Sequence, residues 1–356
     1  MKTSLLLIIV SISEIIVNIS ASSGVVSKPL STNLGEPSLT KLADVIYCYC
    51  TATFLDSESN ELEVLTAYSD EEPEYKKYDY STESLHSYME FDGKKHSVGQ
   101  KGTRVTNWLE GEGIQIIDVV SKKLIQMVPF KEELWCSVEF NPDQSKVAFY
   151  SPDSLYVYDL LAEEMVVKQP ATFVYCVHVF SSDGDRIYYN TGKDSTEAYS
   201  LLEKKIVETY PLVPWSVSLS PDGSTLAIAS AKVFALWDIE SGRQLNEWYQ
   251  TEENWLPFRH CQFLSDGKRL VMVTTRELMI IDASEGAILE RHDSISFGVE
   301  IRKDEKALVT TGSNPAIWSM DPDFEFTQNL NNNGEKITFN MLTFLLVTFL
   351  VYLGVQ

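Results

Sequence analysis

Basic residues are scarce in this chain. Its 356 residues hold 29 Lys plus Arg against 51 Asp plus Glu, a formal charge of −22. So acidic a composition excludes nucleic acid as a partner, because neutralising a phosphate backbone takes clustered Lys and Arg. Cysteine is sparse and odd in number: Cys48, Cys50, Cys136, Cys176 and Cys261. These are not the dense, even set of a small disulfide scaffold, and at least one thiol is free. There is no Cys-x-x-Cys pair, and His86, His96, His178, His260 and His292 stand at no ligand spacing. Nothing therefore points to a metal or a cofactor. Also missing are Gly-x-Ser-x-Gly, a phosphate-binding glycine loop and His-Glu-x-x-His, so no residue stands out as catalytic. No Asn-x-Ser/Thr sequon follows residue 23. Seventeen glycines without a triplet period exclude collagen, and 44% apolar with 22% charged residues is ordinary for a folded chain.

Both ends are apolar. Lys2 followed by Leu5 to Val10, with small residues at Ala21-Ser22-Ser23, outlines a secretory signal over 1–23. Glu14 interrupts it; a cut after Ser13 or an uncleaved anchor are the alternatives. Residues 24–41 read as a linker. At the other end, 341–356 is uncharged, and a polar spacer, 331–340, precedes it. Small residues, a spacer and a terminal apolar tail match a GPI-attachment signal, with Asn331, Asn332 and Asn333 as the candidate attachment sites. A C-terminal transmembrane helix is the equal alternative. Either way the expected address is the secretory pathway, with the protein held at a membrane at the cell surface. An intracellular location is the alternative.

Between the ends the chain repeats. Turns recur at Asn141-Pro142-Asp143, Ser181-Ser182-Asp183-Gly184, Ser220-Pro221-Asp222-Gly223, Leu264-Ser265-Asp266-Gly267 and Arg302-Lys303-Asp304, their aspartates 40, 39, 44 and 38 apart. A weaker copy sits at Phe91-Asp92-Gly93. Each turn follows an alternating apolar strand, with Phe140, Phe180, Leu219, Phe263 or Ile301 three residues before the Asp. A period of two means one face in a core. A second strand follows the turn, then a third ending at Asp118, Asp159, Ser200, Asp238, Asp282 or Asp321, then a fourth. Asp and Gly suit such turns because Asp bonds its own backbone and Gly accepts positive φ. Four strands per unit of about 40–45 residues describe a propeller blade.

Over roughly residues 84–326 the pattern resembles the WD40 repeat, best in Ser220-Pro221-Asp222-Gly223 and Leu236-Trp237-Asp238. No Gly-His pair opens a unit and only one Trp-Asp exists, so a related YVTN-type propeller fits as well. The resemblance implies an all-β fold, a β-propeller of about seven four-stranded blades over 42–330, with six or eight as alternatives. It also implies a protein-binding platform, with an extracytoplasmic propeller enzyme or ligand sensor as the alternative. In that alternative, acids, His178 and Arg259 would converge on the central channel.

Two features bear on function. Trp135, Tyr175, Trp215 and Trp255 are each 40 residues apart, at the starts of inner strands. They form a candidate binding ring at one mouth of the channel; the alternative is that they wedge between blades as core. Cys136 and Cys176 flank two of them on neighbouring units, and a bridge needs Cα atoms within about 7 Å. Asp56 to Asp79 holds nine acids against Lys76 and Lys77. It is either a loop attracting a basic partner or a solvated insertion between strands. The aspartates ending the third strands recur in every unit, which marks them as turn caps.

Overall fold

Thirty strands are formed among the described residues of the computed structural model. The structure describes residues 28–32, 39–44, 50–54, 63–68, 74–79, 84–90, 100–101 and 104–320, the last with gaps at 119, 136–137, 172–176, 193, 250–255, 303 and 312–315. The strands make seven sheets, numbered I to VII in chain order. Sheet I holds Cys50–Phe54, Glu63–Tyr68, Glu74–Asp79 and Ser84–Glu90, and sheet II Gln100–Lys101, Arg104–Leu109, Gly113–Asp118 and Lys123–Pro129. Sheet III holds Glu139–Phe140, Lys146–Tyr150, Ser154–Asp159 and Glu164–Pro170, and sheet IV His178–Phe180, Arg186–Asn190, Thr196–Ser200 and Lys205–Tyr210. Sheet V holds Ser216–Leu219, Thr225–Ala229, Val233–Asp238 and Gln244–Tyr249, and sheet VI Phe258–Phe263, Arg269–Thr274, Glu277–Asp282 and Ala287–Asp293. Each of these six is an antiparallel meander of consecutive strands. Sheet VII is composite: Gly298–Ile301, Ala307–Thr311 and Ala316–Ser319 are completed by Thr40–Asp44 from the N-terminal region, antiparallel to Ala316–Ser319.

The first strands line the centre and the sheets stack face to face around it. Five apolar clusters each join two neighbouring sheets. Phe234 and Trp248 of sheet V, for example, meet Phe258 and Met272 of sheet VI. Near the centre, the hydroxyls of Ser216 and Ser218 accept the N–H groups of Cys261 and Phe263, both at 3.0 Å. Polar groups of the inner wall thus stitch sheet to sheet.

The repeat also dictates the backbone. The residue after each first-turn aspartate (Gln144, Gly184, Gly223, Gly267, Glu305) is left-handed, as is a residue four beyond each third-strand end (Lys122, Glu163, Lys204, Gly242, Gly286), with φ between 54° and 73°. In the first turns, Asp143, Asp183, Asp222, Asp266 and Asp304 accept the N–H two residues on, at 2.8–3.1 Å. Asp159 and Asp282 cap the next turn by accepting the N–H two residues on, and Asp118 and Asp238 by accepting the N–H three residues on. A register shift falls just before each third-strand end, at Ile116/Ile117, Val157/Tyr158, Ala198/Tyr199, Leu236/Trp237 and Ile280/Ile281. In sheets II to VI such a bulge adds twist at the same height.

Three expectations are corrected. Ser84–Glu90 is the last strand of sheet I, not the first of a unit; the first strand of sheet II is only Gln100–Lys101, too short to show an alternating pattern. Residues 24–41 are not a plain linker. Lys28–Pro29 and Ser31–Thr32 pair in parallel with the outermost strands of sheets V and VI, and Leu39 is buried beside Thr40–Asp44. The acidic segment from Asp56 to Asp79 contains two whole strands of sheet I, Glu63–Tyr68 and Glu74–Asp79, rather than one insertion. Among the described residues no helix is long and apolar enough to cross a membrane. The signal segment and the tail lie outside the described residues.

Candidate functional site

The ring has two ends. At one lie the first turns with their aspartates; at the other the innermost strands begin. At that second end three neighbouring sheets place one residue each at the same register, seven before the turn aspartate: Trp215 before Asp222, Arg259 before Asp266 and Phe297 before Asp304. The backbone holds these positions. Trp215 N–H donates to Ala229 C=O and Phe297 N–H to Thr311 C=O, both at 2.7 Å. In sheet VI a bulge between Phe258 and His260 turns Arg259 out of the ladder.

Arg259 lies between the two rings. Its guanidinium carbon is 4.7 Å from the centroid of Trp215 and 5.9 Å from that of Phe297. Both distances are in cation–π range. Among the described residues it has no carboxylate partner, and its Nε is buried without an acceptor. The neighbouring His260 adds no charge, since burial pushes its imidazole down to about 4. The next side chain is no nucleophile either, because burial pushes the Cys261 thiol up to about 12.

Among the described residues at this end, several apolar side chains are exposed. Phe297 is 39% exposed, Ile295 54% and, further round, Trp135 44%. At Ile295, two residues before Phe297, a cleft of about 280 Å3 opens between sheets VI and VII. Arg276, Asp293, Ser294 and Ile295 form one wall, and Lys41 and Trp318 the other. Among the described residues lining the cleft, Lys41 and Arg276 stand against one acid, Asp293, the reverse of the sign of the whole chain.

Of the sequence-derived aromatic ring, Trp135 and Trp215 stand at this end, on sheets III and V. Tyr175 and Trp255 lie outside the described residues, as do Asn331, Asn332 and Asn333. Counting by 40 picks Trp255, which is eleven residues before Asp266 and out of register with the strand. Counting back from each turn aspartate finds Arg259 and Phe297 instead. Nor do His178 and Arg259 meet in the channel. His178 is buried with Nε2 3.3 Å from a Glu139 carboxylate oxygen and its ring edge-on to Tyr150.

No family model matches the chain, and no curated protein matches it. Among solved structures it is similar to the β-propeller domain of Cps50 (Swd1) from Myceliophteria thermophila, with 14% identity and a TM-score of 0.63 over 79% of this chain and 99% of that one. At such identity the likeness speaks for the fold alone, and it agrees with the radial sheets: the chain is a β-propeller.

Proposed function

We propose that this propeller is a non-catalytic platform, held at a membrane by its C-terminal tail, that binds a protein through the end carrying Trp215, Arg259 and Phe297. The observation that carries the reading is the stack itself, a cation with no carboxylate partner among the described residues, set between two aromatic rings. Trp and Arg dominate protein-binding hot spots because they bring large contact areas and directional donors at low entropic cost. Elsewhere the candidate chemical groups are engaged: the third-strand aspartates cap turns, and the inner-wall serines bond the next strand.

Anchoring suits this geometry. The last described strand, Ala316–Ser319, ends at the aspartate end, where Met320 N–H donates to Lys306 C=O. A propeller tethered through its C-terminal tail would turn the stacked end away from the bilayer. The same aspartate end carries Val120, Leu161 and Leu202 at one turn position of sheets II to IV, each more than 70% exposed.

The test has two parts. Cells expressing the full chain with an internal tag are treated with a phospholipase specific for phosphatidylinositol anchors; release of the tag supports a GPI anchor, and retention open to added protease a transmembrane tail. Retention with full protection overturns surface display. Separately, proximity labelling from the wild type is compared with the Trp215→Ala/Phe297→Ala double variant at matched thermal stability. Neighbours lost from the variant support binding at this end, and an unchanged set overturns it.

A further inference from the structure

We infer that Arg259 is a receptor for a carboxylate, so that the partner of this propeller presents an acidic side chain or chain end flanked by apolar residues. The inference rests on the platform reading and names the partner's chemistry at the same site. A guanidinium offers five donors in a planar fork that matches a carboxylate in two parallel hydrogen bonds. In most proteins such a group, when partly buried, already has its acid. Here the described surroundings supply none: Arg259 touches Trp215 and Phe297, and its Nε has no acceptor.

The rings do two things for recognition. Contact with both rings restricts the guanidinium, so less side-chain freedom is left to lose when a ligand docks. They also line its surroundings with apolar surface, and an ion pair made in such surroundings is stronger than one in bulk water. Arg276, on the neighbouring cleft wall, is exposed at the same end of the same sheet. A peptide running from the stack into the cleft would pass two arginines, with Ile295 and Phe297 offering apolar contact between them. Two or more clustered negative charges, as on a phosphate, fit less well. The chain's overall −22 opposes a highly charged anion more strongly than a single carboxylate held at one local cation.

The experiment selects ligands without assuming one. A random twelve-residue peptide library is displayed on phage and panned on the immobilised full chain, and enriched peptides are synthesised for titration. The expected result is that enriched sequences carry Asp or Glu beside an aromatic or aliphatic residue. Replacing that acid by its amide should weaken binding at least tenfold. Arg259→Gln and Arg259→Lys should each weaken it at least fivefold with unfolding midpoints unchanged, since Lys keeps the charge and loses the fork. Binding should also fall as salt rises from 50 to 500 mM. Enriched peptides that are basic, that lack a carboxylate, that need phosphorylation, or that bind Arg259→Gln as well as wild type overturn the inference. If they bind the Trp215→Ala/Phe297→Ala variant unchanged, the platform reading of this end falls too. If that variant loses them while Arg259→Gln keeps them, only the carboxylate assignment falls. A panning that enriches nothing above the Arg259→Gln control also counts against it.

Discussion

Gly286 shows how narrow the tolerance of this architecture is at single residues. Its φ is 67°, and a Cβ built there overlaps the indole of Trp248, whose Nε1–H donates to Glu285 C=O at 3.0 Å. Trp248 is itself buried, stacked on Phe234 in the layer between sheets V and VI. Gly286→Ala therefore combines left-handed strain with overpacking, and should cost about 3 kcal/mol in urea unfolding. Positions where the repeat demands the same backbone without a Cβ clash behave in the opposite sense. Gln144 and Lys204 have φ of 60° and 54°. Replacing either by Gly removes strain of about 1–2 kcal/mol while adding about 0.5–1 kcal/mol of unfolded-state entropy. Each variant should be stabilised by roughly 0.5–1 kcal/mol by these same magnitudes, and a lower urea midpoint would refute the strain argument.

Elements owe their ends to carboxylates. The Ser181 hydroxyl holds Asp183, the Ser220 hydroxyl Asp222 and the Ser241 hydroxyl Asp238 below the usual carboxylate range, helped by backbone N–H groups in each turn. Asp143 is lowered in the same way by Ser145. Because these groups bind protons less readily folded than unfolded, the unfolded chain takes up protons first as pH falls. The stabilisation is complete above about pH 5 and drains away as pH drops through 4, near and below the unfolded value of about 3.9. Relief of self-repulsion as the net charge shrinks works against this and makes the slope shallower. The expected outcome is an unfolding midpoint that falls between pH 5 and pH 3, with a smaller fall in an Asp183→Asn/Asp222→Asn variant. An equal fall in both would show that other groups set the acid limit.

At the scale of the whole molecule, closure depends on a strand far away in sequence. Thr40–Asp44 completes sheet VII, and Leu39 enters its core while its N–H donates to Glu290 at 3.0 Å. The two short strands before it add only parallel pairs on the outside of sheets V and VI. Deleting residues 1–38 should therefore leave a cooperative transition at a somewhat lower midpoint. Deleting 1–45 exposes the edge of Ala316–Ser319 together with Trp318, and should abolish the single transition or cause aggregation. A chain lacking 1–45 that unfolds like the parent would mean that the ring closes without this strand.

The fold was legible in the amino acids wherever a local rule acts once per unit. Alternation, the Asp-Gly turns and the capping aspartates are short-range demands of a strand and its turn, and each repeats in step. Sequence therefore determined the all-β class, the propeller and the turn-capping role of the third-strand aspartates. Tertiary structure decided what depends on register between sheets. A fixed spacing of 40 kept Trp215 and lost Phe297, because loop lengths between units differ while the distance back from the turn aspartate does not. The N-terminal strands could not be placed either, since their partners lie more than 200 residues away and parallel or composite pairing leaves no periodic trace. Arg259 was legible only as a candidate for the central channel, beside His178, and not by its aromatic neighbours. The two rings beside it, Trp215 and Phe297, belong to other sheets, and only the packing of sheets V, VI and VII brings them to one guanidinium.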